Sequence, residues 1–247
     1  MPEAGAEIYG ADPFESLRRV LEAASRMREP PERVIATGDL AEDASPRSYE
    51  RLRELLLATG LPTHVIPGNH DSLAGMRSSL VGGAIEMGHV VDLADWRLVL
   101  LDSQIAGRSE GRLARDQLQL LERSLRETPS RPALVALHHS PTRPCPYPGC
   151  HLENEADFLR RLAAHDNARV VIAGHSHTPI ERCEQGVALL TTPSTCSQGW
   201  HAQAGESEDP DDFWACHRMD GSRHGFRMLS LAADGSFESE LHWLRDE

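Results

Sequence analysis

The stretch Val170-Val171-Ile172-Ala173-Gly174-His175-Ser176-His177 constrains this chain more than any other. Its β-branched run has no polar alternation, which is the pattern of a strand buried on both faces of an α/β sheet. The glycine lets the backbone turn where the strand stops. Two imidazoles one residue apart are thereby left at the carboxyl end of a strand, where open α/β sheets bind ligands. Taken alone, His-x-His says little, because alternate residues of any strand share a face. Three more segments repeat the arrangement: Ile35-Ala36-Thr37-Gly38-Asp39, Val65-Ile66-Pro67-Gly68-Asn69-His70-Asp71 and Leu134-Val135-Ala136-Leu137-His138-His139. Together they offer carboxylate, amide and imidazole groups suited to first-row transition metals.

The segments between these runs set the architecture. Asp12-Pro13-Phe14-Glu15 reads as a helix start, with Asp12 as N-cap, proline in the first turn and Glu15 three residues after the cap. Phe14, Leu17, Leu21 and Ala24 follow at helical spacing. Ser45-Pro46 opens a second helix carrying Leu52, Leu55 and Leu56, and further helices are expected over Leu113–Arg126 and Glu153–Ala164. Val90–Leu93 with Arg97–Leu101 reads as an antiparallel pair, Ile180–Cys183 with Val187–Thr191 as a hairpin, and Phe226–Leu231 with Phe237–Leu244 as a closing hairpin. Thr142–Gly149, with three prolines, and the acidic Gly199–Asp212 read as loops, the second of them mobile. Alternating strands and helices followed by antiparallel strands predict an α/β fold of two packed mixed sheets flanked by helices, as a single domain over residues 1–247.

Charge and composition narrow the chemistry. The formal charge of −13 argues against a nucleic-acid partner, since phosphate backbones are bound by basic surfaces. Every Lys+Arg residue is arginine, which removes Schiff-base, lysine-assisted phosphate-loop and Ser-Lys chemistry. The cysteines Cys145, Cys150, Cys183, Cys196 and Cys216 are odd in number and irregularly spaced, unlike a disulfide framework. Reduced thiols in a loop explain Cys145 and Cys150 beside His151 better than a small structural metal does. No apolar stretch is long enough for a membrane span, so a soluble, cytoplasmic protein is expected.

In order, spacing and strand context, Gly38-Asp39, Gly68-Asn69-His70-Asp71, His138-His139 and Gly174-His175-Ser176-His177 resemble the calcineurin-like metallophosphoesterase superfamily from Tyr9 onward. Pro193-Ser194-Thr195-Cys196 with Gln198, and the closing Gly225-Phe226-Arg227, Ala233-Asp234-Gly235 and Leu241-His242, are most similar to its class III 3′,5′-cyclic AMP phosphodiesterases. The resemblance implies a four-layer αββα sandwich and two metal ions, iron, manganese or zinc, acting on a small phosphodiester such as a cyclic nucleotide. It implies that Asp39 bridges the ions, that Asn69, His138 and His175 complete one of them, and that His177 binds the other. It places His70 over the phosphate as a proton donor, with Asp71 orienting it, and leaves His139 as a supporting or substrate-contacting residue. Two metals about 3.5–4 Å apart suit in-line hydrolysis, because they bind phosphoryl oxygens and generate hydroxide near neutral pH.

The superfamily's first motif, an Asp-x-His at the end of a first strand, has no counterpart here. Asp12 is better explained as a cap than as a substitute ligand. The expectation is a start just downstream of that strand, one tightly bound metal, and a second position holding only Asp39 and His177. Specificity is expected in the loops Thr142–His151 and Pro193–Asp212.

Overall fold

Hydrophobic alternation along the central strands creates two buried layers, one on each side of a sheet. The computed structural model describes residues 7–143, 147–201 and 217–245. Leu98, Leu100, Leu134, Ala136, Val170 and Ile172 face one layer, while Val99, Leu101, Val135, Leu137, Val171 and Ala173 face the other. Strands covered on both faces need continuous apolar sequence, which accounts for the absence of polar alternation in them.

Helix α1 (Pro13–Ser25) is capped as its sequence predicts, with Asp12 Oδ1 accepting from Phe14 N at 2.9 Å and Glu15 N at 3.3 Å. Strand β1 (Val34–Ala36), helix α2 (Pro46–Ala58) and strand β2 (Thr63–Val65) follow. Tyr49, Leu52 and Leu56 of α2 and Val65 are buried with Phe14, Leu17 and Leu21 of α1 packed against them. A short helix α3 (Leu73–Gly75), running into a π-turn at Met76–Leu80, leads to strand β3 (Ile85–Glu86), none of which the periodicity had suggested. The first sheet has the order β1-β2-β3, all parallel.

The second sheet holds β4 (Val90–Asp92), β5 (Arg97–Leu100), β6 (Ala133–Leu137), β7 (Ala168–Ala173), β8 (Glu181–Glu184) and β9 (Val187–Thr191), in the order β4-β5-β6-β7-β9-β8. Its four middle strands are parallel and its two edge strands antiparallel. Helices α4 (Arg115–Glu127) and α5 (Glu155–Ala163) cover its outer face through Leu118, Leu121, Leu125, Phe158 and Leu162. Two antiparallel ribbons complete the fold: β10 (Gln198–His201) with β11 (His217–Asp220), and β12 (Arg223–Leu231) with β13 (Phe237–Arg245). Leu229, Leu231, Phe237 and Ile35 meet Trp96 and the inner face of the second sheet, so the layers run helix, sheet, sheet, helix. The two packed sheets and flanking helices are thus present.

Residues 199–201, read as the start of an acidic loop, instead pair with residues 217–219 as strand. The pairing partner lies beyond the acidic run, so local composition concealed it. The remainder of that loop, and Cys145 and Cys216, lie outside the described residues.

Candidate metal centre

Four parallel strands, two from each sheet, deliver their next residues to one end of the sandwich. Asp39 follows β1, Asn69 follows β2, His138 follows β6, and His175 and His177 follow β7. Close packing of these turns needs Gly38, at φ +100°, where an added Cβ would overlap His138 Nδ1 from the second sheet and stand 2.8 Å from Gly68 N in the turn after β2. Asp39, His175 and His177 are themselves in the left-handed region, at φ 53°, 63° and 51°. Non-glycine residues take this conformation at a cost, and such strain clusters at functional sites. The sequence carried no signal of it.

The donor atoms converge. His138 Nε2 lies 3.1 Å from Asn69 Oδ1, 3.2 Å from His175 Nδ1 and 3.2 Å from Asp39 Oδ2. Backbone carbonyls fix which nitrogens are free: His138 Nδ1 donates to Thr37 O at 2.7 Å, and His175 Nε2 donates to Gly149 O at 2.8 Å. With the rings neutral, the remaining nitrogens are lone pairs that face each other and two oxygen acceptors. Four acceptors with no hydrogen between them repel unless a cation joins them. This donor set therefore fits a metal ion, and carbonyl-anchored imidazoles are the usual outer support of metal-binding histidines.

Electrostatics point the same way. Burial pushes the Asp39 carboxyl up, but the neighbouring His138, His175 and His70 outweigh it and hold it far below the ordinary carboxylate range. Burial pushes His138 down, whereas Asp39 and the Thr37 carbonyl reverse this and lift it above the usual histidine value. His175 falls to about 3 through burial and the adjacent His138. The cluster accepts one positive charge and resists a second proton, so metal and proton compete for it.

His139 is close by, its ring 4.6 Å from that of His175, and a nitrogen from each of His138, His139 and His175 falls within a 4.8 Å group. Both of its ring nitrogens are engaged, however: Nδ1 with Ser103 Oγ at 2.9 Å and Nε2 with Ser109 O at 3.1 Å. Its ring stands edge-on to that of His138, with centroids 4.8 Å apart. His177 borders the same cavity as the other four residues, its carbonyl accepts from Gly199 N at 2.9 Å, and its Nδ1 is 3.5 Å from Ser197 Oγ.

The expected Asp71–His70 pair is not formed. Asp71 accepts from Leu40 N at 3.0 Å, Ala41 N at 3.2 Å, Gly68 N at 2.8 Å and Tyr49 OH at 3.0 Å, which occupies the carboxylate with groups other than His70. Its carboxyl is raised by burial despite these bonds. His70, 41% exposed, instead has Nδ1 3.3 Å from Glu42 Oε2, while its backbone N–H donates to Asp39 Oδ1 at 3.1 Å. Gln104 Nε2 clamps the same turn, donating to Gly68 O and Asp71 O at 2.7 Å each. Glu42, Tyr49 and Gln104 were missed because each lies in a different segment from its partner.

A family model described as calcineurin-like phosphoesterase matches residues 10–179. The chain belongs to the calcineurin-like phosphoesterase family. Among curated members, it is 33% identical over 242 residues to the 3′,5′-cyclic adenosine monophosphate phosphodiesterase CpdA of Escherichia coli K12, covering 97% of this chain and 84% of that protein. It is 34% identical over 249 residues to CpdA of Pseudomonas aeruginosa, covering 99% and 86%. A solved dimetal phosphatase from Danio rerio shares the fold with a TM-score of 0.60 at 17% identity, over 94% of this chain and 88% of that one. The four turns that carry Asp39, Asn69, His138 and His175 lie at one end of the sandwich. No helix among the described residues is long and apolar enough to cross a membrane.

Proposed function

We propose that this chain is a metal-dependent phosphodiesterase that hydrolyses 3′,5′-cyclic AMP to AMP. The reading rests chiefly on His138 Nε2 meeting Asn69 Oδ1, His175 Nδ1 and Asp39 Oδ2 within 3.2 Å, and the likeness to the CpdA proteins supports the substrate. Asp39, Asn69, His138 and His175 would hold one ion of iron, manganese or zinc. Asp39 and His177 would offer ligands to a further ion. A bound ion supplies Lewis acidity toward the phosphoryl oxygens and a hydroxide near neutral pH.

The protein groups do the rest. Asp39 and the imidazoles fix the site at the end of four strands, so their geometry needs little reorganisation during reaction. The water oxygen forms its bond to phosphorus in line with the bond to the 3′ oxygen, which breaks. His70, exposed beside Asp39, donates the proton that the departing 3′ oxygen takes up. Glu42 at Nδ1 holds its ring, leaving Nε2 for the substrate.

A single-ion form is the second reading, favoured by Asp12. Its carboxylate caps α1, so among the described residues Asp39 and His177 are the groups offered near that position, where catalytic sites commonly have three. Metal content per chain, measured beside cyclic AMP turnover with and without chelator, tests both. Chelator-sensitive production of AMP supports the phosphodiesterase; a tightly metallated chain with no turnover of cyclic AMP or a chromogenic diester leaves the single-ion binder. Turnover of other phosphoesters in preference to cyclic AMP would reassign the substrate.

A further inference from the structure

The imidazole of His175 is oriented by the carbonyl of a glycine. Gly149 O accepts from His175 Nε2 at 2.8 Å, which leaves Nδ1 as the nitrogen facing His138. A glycine carbonyl is easily turned, because no Cβ restricts the backbone beside it. Its direction must come from neighbours, and at this position a side chain is excluded: an added Cβ would overlap the Tyr147 ring and stand 2.6 Å from Ser109 Oγ.

The next residue supplies the hold. Gly149 C=O and Cys150 N–H share one planar peptide, so they turn together. Cys150 N donates to Tyr147 O at 3.1 Å, closing the single 3₁₀ turn Pro148–Cys150. From the same residue, Cys150 Sγ is joined by a hydrogen bond of 3.0 Å to His217 Nε2 on β11, 67 residues away. Cys150 and His217 are each 4% exposed, and the Tyr147 ring meets that of His217 edge-on with centroids 5.8 Å apart.

These contacts close a circuit. His217 pairs with His201 across the β10–β11 ribbon, and in the same ribbon Gly199 N donates to His177 O at 2.9 Å. One ribbon thus holds both histidines of the turn after β7, His177 through its backbone and His175 through Cys150 and the Gly149 carbonyl.

We propose that Cys150 and His217 are positioning residues for the metal ligand His175. Their hydrogen bond fixes the Gly149–Cys150 peptide at the angle that keeps the His175 Nε2–H engaged and the Nδ1 lone pair turned toward His138 Nε2. Released from that carbonyl, the imidazole can carry its proton on Nδ1 instead, and in that tautomer Nδ1 is no ligand. A direct partner of a metal-binding histidine is worth about 10–100-fold in affinity, so one step further out about tenfold is expected. The inference rests on the reading of Asp39, Asn69, His138 and His175 as a metal centre and needs no substrate.

The test adds cobalt(II) alone to the full chain prepared without metal, because the visible absorption of bound cobalt reports ligand number and geometry. Cys150→Ala and His217→Leu are expected to weaken cobalt binding by about tenfold and to change the shape of that absorption. Cys150→Ser and His217→Gln keep a hydrogen-bonding atom at the position lost, and each should recover part of both. Cys150→Ala removes one sulfur and decides alone if the larger change at His217 prevents folding. Arg218→Ala is the control for a loosened ribbon, since Arg218 adjoins His217 in β11 but stacks over the exposed Trp200, 5.3 Å from its ring centroid. It should bind cobalt as the wild type does. Wild-type affinity and spectrum in Cys150→Ala overturn the proposal and leave the metal centre standing. Equal weakening by Arg218→Ala overturns it in favour of general support by the ribbon, and a wild-type chain that binds no cobalt overturns the metal-centre reading and the proposal with it.

Discussion

Tyr49, buried on α2, donates its hydroxyl to Asp71 Oδ1 at 3.0 Å and accepts from Ser72 N at 2.8 Å. Through Asp71 it thus ties α2 to the amides of Leu40, Ala41 and Gly68, the turns that present Asp39 and Asn69. Tyr49→Phe removes one hydrogen bond to a buried carboxylate and one acceptor, and is expected to destabilise the fold by about 1.5–3 kcal/mol. Asp71→Asn places an amide hydrogen against backbone donors and should cost at least as much. Urea denaturation of both variants checks this, and wild-type midpoints would show that the network holds nothing in place.

His175 and His70 should separate metal binding from chemistry. His175→Ala deletes one of four converging donors, so metal content should collapse together with activity. His70→Ala removes an exposed group that is outside that set, so metal should remain while kcat falls by about 10²–10⁴ if it protonates the leaving oxygen. Elemental analysis beside cyclic AMP turnover decides between them; equal metal loss in both would reverse the assigned roles.

The site was legible in the sequence where chemistry and local structure coincide. Asp39, Asn69, His138 and His175 each follow a β-branched or leucine-rich strand within a few residues, so strand ends and candidate ligand types could be read together. Asp12 was read correctly as a cap for the same reason, since a cap is a local device. What stayed hidden depends on distance along the chain. Glu42 reaches His70, Gln104 reaches Gly68 and Asp71, and β11 pairs with β10 across the acidic segment. Asp71 beside His70 in sequence suggested a pair, yet the turn directs its carboxylate to four other donors. The left-handed backbone at Asp39, His175 and His177 likewise follows from tertiary closure and has no signature in residue type.

His64 gives a pH dependence away from the metal centre. It is buried on β2 with Nε2 3.0 Å from Arg33 Nη1, which donates to it. Burial and the Arg33 charge lower its pKa from the ordinary 6.5, with Glu86 opposing. The folded state therefore binds fewer protons than the unfolded state just below pH 6.5. His64 contributes its full stability above that pH, and the contribution is lost as pH falls through the folded value, with a slope of at most about 1.4 kcal/mol per pH unit. Melting curves from pH 8 to pH 5 should fall less steeply for His64→Gln than for the wild type. Parallel curves would remove His64 from the acid sensitivity.

Glu42 supplies the sharpest division between a residue that positions and one that stabilises. Its carboxylate is 3.3 Å from His70 Nδ1, and both side chains are about half exposed, at 52% and 41%. Exposed ion pairs of this kind add little to folding, typically under about 1 kcal/mol. Orientation is another matter, because a freely rotating imidazole spends less time aimed at the leaving oxygen; partners that orient metal-binding histidines are worth about 10–100-fold, and a loss on that scale is expected for His70. Glu42→Gln keeps the shape and an acceptor oxygen and should recover part of the rate that Glu42→Ala loses. Neither variant should change the urea midpoint or the metal content, in contrast to Asp71→Asn, which disturbs the turns themselves. The comparison is made by measuring kcat, KM, metal per chain and denaturation on all three proteins. A Glu42→Ala enzyme with wild-type kcat would detach Glu42 from the reaction and leave His70 held by the substrate alone.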